Sequence, residues 1–163
     1  YPPHEVKYEQ SIVAPAVNYL FQLYELTGKI LYLEEGKKQL AVLVLFNGHQ
    51  PDFHMYENAV RHWDGYWFGK YKNLGDTFPH YWSSLSGVAF REYEKITGER
   101  SYGVKAENSL RGVLSMINSD GSASCAYVYP FMVNNVRCQY ADPWANDQDW
   151  ALYYYLKEGK NYD

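Results

Sequence analysis

Apolar and polar residues follow each other along much of this chain with the 3.6-residue period of amphipathic helices. The clearest example covers about residues 8–26, where one face of the predicted helix is apolar and Gly28 follows as its stop. The apolar positions of that face are Ile12, Ala16, Leu20 and Leu23. The pattern therefore predicts a first helix that packs one face against the rest of the molecule.

The same pattern returns 70 residues later, with Gly98 in the place of Gly28. The pairs of residues that coincide at this offset include Leu20 with Phe90, Leu23 with Tyr93, Leu40 with Leu110 and Leu43 with Val113. Weak self-similarity at a fixed spacing is typical of stacked units that bury their apolar faces against each other. Each copy predicts an antiparallel helical hairpin followed by a long aromatic loop, so we expect function in the loops at one end of the stack.

Other elements are predicted from more local signals. Residues 40–46 form an uninterrupted apolar run that also suits a buried strand, but the repeat favours a helix over about 31–46 and its equivalent over about 102–117. The sequence Thr77-Phe78-Pro79 predicts the start of the second copy's first helix, with proline in the first turn. Residues 122–129 predict a short β-hairpin arm, and a last helix is expected over about 144–158.

Length and charge narrow the class of protein. The chain has 163 residues and a formal net charge of −4, and 47% of its residues are hydrophobic. This length predicts a single domain over residues 1–163, and the repeated helical pattern predicts that it is all-α. The negative charge argues against a nucleic-acid partner, because such proteins need a basic surface. No apolar run approaches the roughly 18 residues of a membrane helix, so no membrane partner is expected.

Aromatic residues are unusually frequent and concentrate outside the helical stripes. The chain holds 18 Tyr, 5 Trp and 7 Phe, which together make up 18% of its residues. Tyr and Trp combine a flat apolar face with a polar edge, which suits sugar rings with C–H groups on their faces and hydroxyls at their rims. Many of the tyrosines equally suit the wide spaces between hairpins. The loops therefore predict a carbohydrate substrate.

Paired carboxylates in these loops suit glycoside hydrolysis, in which one carboxyl protonates the leaving oxygen and the other acts as base or nucleophile. Asp64 lies among Trp63, Tyr66 and Trp67, whose apolar surroundings favour the protonated form that a general acid needs. Asp76 is the second candidate. The alternative is structural, since Asp76 also suits the start of the following helix.

The same loops contain candidate substrate contacts around the two carboxylates. They are Arg61, His62, Trp63, Trp67, His80 and Tyr81. The Trp and Tyr side chains suit sugar stacking, while arginine binds a sugar carboxylate through two parallel hydrogen bonds. Each of these residues also has a plain structural or solvent-exposed alternative. The histidines and acids lack the spacing of zinc sites, so no metal and no cofactor are expected.

These hairpins and loops resemble the six-hairpin glycosidase superfamily, the (α/α) toroid enzymes, and bacterial members that act on glycans. The segments that carry the resemblance are Leu26-Thr27-Gly28-Lys29, Ile96-Thr97-Gly98-Glu99, Trp63 to Trp67, Gly75 to Trp82 and Asn146 to Trp150. The resemblance implies part of an (α/α)6 toroid with short β-hairpin or loop insertions at one end. About two and a half hairpins are predicted, so the rest of a longer parent chain, or another copy, is expected to complete the ring.

Three functions remain open from the sequence. The first is a glycoside hydrolase that uses Asp64 and Asp76 on a glycan, including glycans that contain uronic acids. The second is a polysaccharide lyase, in which His80 or Tyr81 removes a proton beside a uronic carboxylate and Arg61 neutralises that carboxylate. The third is a helical module that binds carbohydrate or acts as a scaffold without chemistry.

Overall fold

The computed structural model describes residues 10–45, 76–123, 126–129, 132–133, 136–137 and 148–158. The elements in chain order are helices α1 (Gln10–Thr27) and α2 (Ile30–Val44), strand β1 (Asp76–His80), helices α3 (Ser83–Thr97) and α4 (Arg100–Gly112), a 3₁₀ turn (Val113–Met116), strands β2 (Ala126–Tyr129), β3 (Met132–Val133) and β4 (Val136–Arg137), and helix α5 (Gln148–Glu158). The predicted all-α class is confirmed, with α1–α2 and α3–α4 packed as hairpins. Within the described residues, no helix combines the length and apolar character needed to cross a bilayer.

The 70-residue repeat is confirmed in the details of the two hairpin turns. Gly28 has a φ of 66° and Gly98 a φ of 75°, both in the left-handed region. The hydroxyl before each glycine donates a hydrogen bond to a carbonyl four residues earlier: Thr27 Oγ1 to Leu23 O at 2.6 Å, and Thr97 Oγ1 to Tyr93 O at 2.7 Å. The two turns therefore end their helices in the same way, as the shared Thr-Gly sequence predicts.

Replacing Gly98 with Ala is expected to lower the free energy of unfolding by about 1–2 kcal/mol, since a Cβ makes the left-handed conformation unfavourable. A Cβ built on Gly98 has nothing within 4 Å, so the cost comes from the backbone alone. Urea unfolding measures this loss of free energy, provided that the denaturant slope m is unchanged. Gly98→Asn is the matched variant, because Asn adopts the left-handed conformation more readily. Equal stability of Gly98→Ala and the parent protein would contradict the expectation.

Helices α1, α3 and α5 lie side by side, while α2 and α4 pack against α1 and α3 respectively. The rings of Phe21 on α1 and Tyr93 on α3 are 5.7 Å apart. On the other side of α3, Lys95 Nζ lies 2.8 Å from a carboxylate oxygen of Glu158 at the end of α5. Ala151, near the start of α5, packs with Tyr81 just before α3. Helices α3 and α5 therefore run in the same direction.

The main core lies between the two hairpins. Its fully buried side chains include Val17, Phe21, Leu40, Leu43, Phe90, Tyr93 and Leu110. Leu40 and Leu110 occupy equivalent positions of the repeat, and both are fully buried. The apolar run at 40–46 is thus explained by burial in a helix as far as Val44, and the choice of helix over strand is confirmed.

The predicted start of α3 at Thr77-Phe78-Pro79 is wrong. These residues belong to strand β1, and α3 begins at Ser83. The physical reason is antiparallel pairing with β2, which gives the backbone of this segment hydrogen-bond partners in the extended conformation. A proline after Thr and Phe suits either a helix start or an irregular strand, and the distant partner decides between them.

Two other boundaries also differ from expectation. The second helix of the repeat ends at Gly112 and continues as a 3₁₀ turn, so it does not reach Ile117. The predicted hairpin arm over 122–129 contains a strand at 126–129, but that strand pairs with β1 and not with a neighbour. Local antiparallel pairs lie on either side of this strand: Ile117 and Ala123 form a β-bridge, and β3 pairs with β4, with Met132 opposite Arg137. Helix α5 begins at Gln148, and residues 144–147 lie outside the described residues.

Candidate functional site

One end of the stack carries the ribbon of β1 and β2, and we call it the loop end. Strand β1 contacts the 3₁₀ turn that follows α4, and its last residue leads directly into the Tyr81-Trp82 turn and α3. The loop end therefore brings together the start of α3, the end of α4 and the start of α5. This is the end at which the repeat predicts function.

The ribbon joins two segments that the sequence separates by almost 50 residues. Strands β1 and β2 are antiparallel, with Asp76 opposite Tyr129, Thr77 opposite Val128 and His80 opposite Ala126. The candidate residues Asp76 and His80 thus lie beside the tyrosine-containing strand of a later loop. The sequence predicts that both segments belong to the candidate loops, but it carries no signal for their pairing.

A β-bulge lies between Thr77 and His80. From Thr77 to His80, β1 advances three residues while β2 advances two, so one extra residue lies in β1 around Pro79. Proline has no N–H to donate, and a bulge leaves a residue unpaired, which explains why proline is accepted here.

Tyr81 is part of the core at the loop end. It is 8% exposed and packs with Val113, Met116 and Ala151. Its ring meets that of Trp82 in a T-shaped contact with centroids 5.6 Å apart, and its carbonyl accepts a hydrogen bond of 2.7 Å from Ser84 Oγ. Tyr81 therefore holds the strand-to-helix junction. This burial argues against a sugar platform at Tyr81, because the ring faces are covered.

The other candidate residues fall into two groups. Arg61, His62, Trp63, Asp64 and Trp67 lie outside the described residues, so their roles stay predictions. Asp76 is placed by its position in β1, well before Ser83, so it does not cap α3. The helix-start role is therefore wrong for Asp76, and its catalytic role stays a prediction. Across the parts of the chain that the structure describes, no three His, Cys, Asp or Glu residues come together as metal ligands would.

A second acidic group at the loop end is held in a tight turn. Asp120 Oδ1 accepts hydrogen bonds from the Ser122 hydroxyl at 2.7 Å and from the Ser122 amide at 2.9 Å. These bonds, with the hydroxyl as the larger cause, lower the pKa of Asp120 below its ordinary value. A carboxyl with a lowered pKa is ionised at neutral pH and does not suit the part of a general acid.

A polar cluster ties the hairpins together at the opposite end. Tyr93 Oη donates a hydrogen bond to Glu99 Oε1 at 3.0 Å, and Lys37 Nζ lies 5.9 Å from the Tyr93 ring centroid. Burial raises the pKa of Tyr93 above its ordinary value, and the hydrogen bond to Glu99 adds to the increase, while Lys37 acts against it. The cluster joins α2 to α3 and the start of α4 far from the loop end, so its role is structural.

Replacing Tyr93 with Phe is expected to make the free energy of unfolding fall less steeply as the pH rises into the alkaline range. The folded-state pKa of Tyr93 lies above the ordinary value of 10.0, so its stabilising contribution is complete below that pH. The contribution is then lost as the pH rises through the folded-state pKa. Urea midpoints measured from neutral pH upward test this. If the urea midpoint of Tyr93→Phe falls as steeply above pH 10 as that of the parent protein, the expectation is contradicted.

Comparison with known proteins gives a match among solved structures. No known protein family and no curated protein matches the sequence. A solved structure of a polysaccharide lyase matches with 54% sequence identity and a TM-score of 0.75 over 98% of this chain. The chain spans about a quarter of that lyase, covering 24% of its length. Over nearly its whole length, this chain is therefore similar in sequence and fold to one part of a polysaccharide lyase.

Proposed function

We propose that this chain is part of the catalytic domain of a polysaccharide lyase that cleaves a uronic-acid-containing polysaccharide. The observation that carries the proposal is the 54% identity with a polysaccharide lyase over 98% of the chain. The aromatic loops support a carbohydrate substrate, as does the presence of Arg61 and His80 in them. The match is to a lyase, so the hydrolase prediction for Asp64 and Asp76 receives no comparable support.

The reaction of a lyase is a β-elimination with three requirements. A base removes the proton on the carbon that bears the uronic carboxylate, and the electron pair forms a new C=C bond as the neighbouring C–O bond breaks. The leaving oxygen takes up a proton. Negative charge develops on the carboxylate during proton removal, so a cation or hydrogen-bond donor at that group lowers the barrier. A base, a carboxylate-binding group and a proton donor to the leaving oxygen are therefore needed together.

His80 suits the base better than Tyr81 does. A general base must come within about 2.6–3.2 Å of the proton that it removes. Tyr81 is 8% exposed and packed among Val113, Met116 and Ala151, which leaves little room for a sugar at its ring. His80 ends strand β1 directly beside a bulge, a feature that occurs often next to active sites. An imidazole also accepts protons near neutral pH.

The remaining candidates take supporting roles in this proposal. Arg61 binds and neutralises the uronic carboxylate, because its planar guanidinium matches a carboxylate in two parallel hydrogen bonds. Trp63 and Trp67 form the sugar platform, and His62 contacts a neighbouring sugar. Asp64 and Asp76 accept hydrogen bonds from sugar hydroxyls. In this proposal α1, α3 and α5, which lie side by side, belong to one layer of an (α/α) toroid.

Chemical reduction of the substrate carboxylates tests the proposal. The full-length natural protein is incubated with uronic-acid-containing polysaccharides and with the same polymers after their carboxylates have been reduced to alcohols. We expect chain shortening of the native polymers and none of the reduced ones, because the proton is acidic only beside a carboxyl group. Equal cleavage of both forms would overturn the proposed reaction.

A further inference from the structure

A compact polar turn lies at the loop end, between the 3₁₀ turn and β2, and we call it the 118–122 turn. Asn118 N donates a hydrogen bond of 2.8 Å to Ser122 O, and Gly121 N donates one of 3.0 Å to Asn118 O. Gly121 has a φ of 85°, a left-handed conformation that glycine adopts without strain. All residues of the turn are exposed, so it presents fixed polar groups to the solvent.

The carboxylate of this turn is held by its neighbours. Asn118 Nδ2 donates a hydrogen bond of 2.9 Å to Ser122 Oγ, and the Ser122 hydroxyl donates one to Asp120 Oδ1. Within the described residues, Asp120 Oδ2 accepts no hydrogen bond from another residue. A carboxylate has about four lone-pair sites, so Asp120 keeps acceptor capacity for a ligand while its position is fixed.

The 118–122 turn lies close to the proposed base in the fold. Ala123 closes the turn by its bridge with Ile117, and Ala126, three residues later, is opposite His80. Three residues of extended chain span at most about 11 Å, and opposed residues of an antiparallel pair lie roughly 5 Å apart. Ala123 is therefore within about 16 Å of the His80 backbone, a distance that a few linked sugars cover.

An aromatic ring is anchored on the same part of the core. Trp82 packs against the buried cluster that contains Tyr81 and Met116, and its side chain stays partly exposed. Met116 lies two residues before Asn118, so this cluster supports both Trp82 and the 118–122 turn. An aromatic face that packs on C–H groups and a carboxylate that accepts hydrogen bonds from hydroxyls together suit a sugar ring.

The charge of Asp120 restricts which sugar suits this place. The hydrogen bonds from Ser122, its hydroxyl first, lower the pKa of Asp120, so the carboxylate is ionised at neutral pH. A fixed negative charge repels a sulfate ester or a second carboxylate brought close to it. Sugars with free hydroxyl groups are favoured here, and sugars with an anionic substituent are disfavoured.

We infer that Asp120 is a specificity-determining residue that binds an uncharged sugar near the uronic acid and rejects a sulfated one. The inference rests on the proposed lyase function, and it narrows the substrate class. That class is an unsulfated polysaccharide in which neutral sugars stand beside the uronic acids.

The test uses the full-length natural protein and Asp120→Asn, which keeps an acceptor for Ser122 but removes the charge. The substrates are a uronic-acid-containing polysaccharide that the parent protein cleaves and the same polymer after chemical sulfation. Initial rates of ultraviolet absorbance give kcat and KM for both. Glu25→Gln is the matched control, because Glu25 is exposed near the opposite end of α1 and its replacement removes the same charge.

We expect the parent protein to cleave the sulfated polymer with a kcat/KM at least about tenfold lower than that of the native polymer. In Asp120→Asn, KM for the native polymer is expected to rise about tenfold at little changed kcat, as for a lost hydrogen bond to a charged group. The preference for the native polymer is then largely lost. Ser122→Ala keeps the charge, so it is expected to raise KM and to retain the preference.

Three results would overturn the inference. Unsaturated product with unchanged KM and unchanged preference in Asp120→Asn would overturn it and leave the proposed function standing. The same loss of preference in Glu25→Gln would also overturn it, because the effect would then come from net charge. No unsaturated product from any polymer with the parent protein would overturn the proposed function, and this inference with it.

Discussion

Replacing His80 with Gln is expected to lower kcat for polysaccharide cleavage by about 10²–10⁴-fold, the usual contribution of a general base. Glutamine keeps a hydrogen-bonding side chain at the end of β1 but cannot accept the proton. The substrate is still bound by other groups, so KM is expected to change much less than kcat. Initial rates over a range of substrate concentrations measure both, and an unchanged urea midpoint shows that the fold is retained.

Tyr81→Phe is the variant that discriminates between the two candidate bases. It keeps the buried ring that packs against Val113 and Met116 and removes only the hydroxyl. If His80 is the base, the rate falls far less in Tyr81→Phe than in His80→Gln. Loss of activity in Tyr81→Phe with activity retained in His80→Gln would assign the base to Tyr81 and contradict our argument from burial.

Phe90→Ala is expected to lower the free energy of unfolding by about 3–5 kcal/mol, as large-to-small changes of buried aromatic residues do. Phe90 is fully buried between the hairpins, and its ring centroid lies 6.0 Å from that of Tyr102. Alanine removes the ring and leaves a cavity that the packed helices cannot fill. Urea unfolding with Phe90→Ala and the parent protein measures the loss.

The repeat supplies the matched control for this substitution. Leu20 occupies the position equivalent to Phe90 but is only half-buried, so Leu20→Ala is expected to cost less than about 2 kcal/mol. The difference in the free energy of unfolding between Phe90→Ala and Leu20→Ala reports how much burial between the two hairpins contributes to stability. Equal losses in the free energy of unfolding at Phe90 and Leu20 would show that both positions contribute alike to stability. That result would contradict a core in which Phe90 is fully buried and Leu20 is not.

The helices could be predicted from the sequence because their signals are local. The apolar period identifies α1 and α3, and the Thr-Gly pairs mark the ends of both at Gly28 and Gly98. The apolar run at 40–46 is ambiguous by itself, and its counterpart in the second copy favours a helix. Where two copies of one unit exist, each provides a test of the other.

Strand β1 could not be predicted because its cause is distant in sequence. Its partner β2 follows almost 50 residues later, and Pro79 is tolerated in β1 because of a bulge that pairing creates. A local reading of Thr77-Phe78-Pro79 therefore favoured a helix start. The burial of Tyr81 is another non-local effect, since it depends on Ala151 of α5 and Met116 of the 3₁₀ turn.

The candidate site could be predicted only as a region. The repeat indicates the loop end, and the structure places Asp76 and His80 there by register. The choice between hydrolysis and elimination could not be made from residue types, because Asp, His, Arg and Tyr serve both reactions. Similarity to a polysaccharide lyase is what favours elimination.

The most direct test of the proposed elimination compares two kinds of new chain end in the full-length protein acting on a uronic-acid-containing polysaccharide. Each elimination creates one C=C bond that absorbs in the ultraviolet and one reducing end. We predict that the two appear in equal molar amounts from the start of the reaction. Reducing ends that accumulate without any rise in ultraviolet absorbance would show hydrolysis and contradict the account.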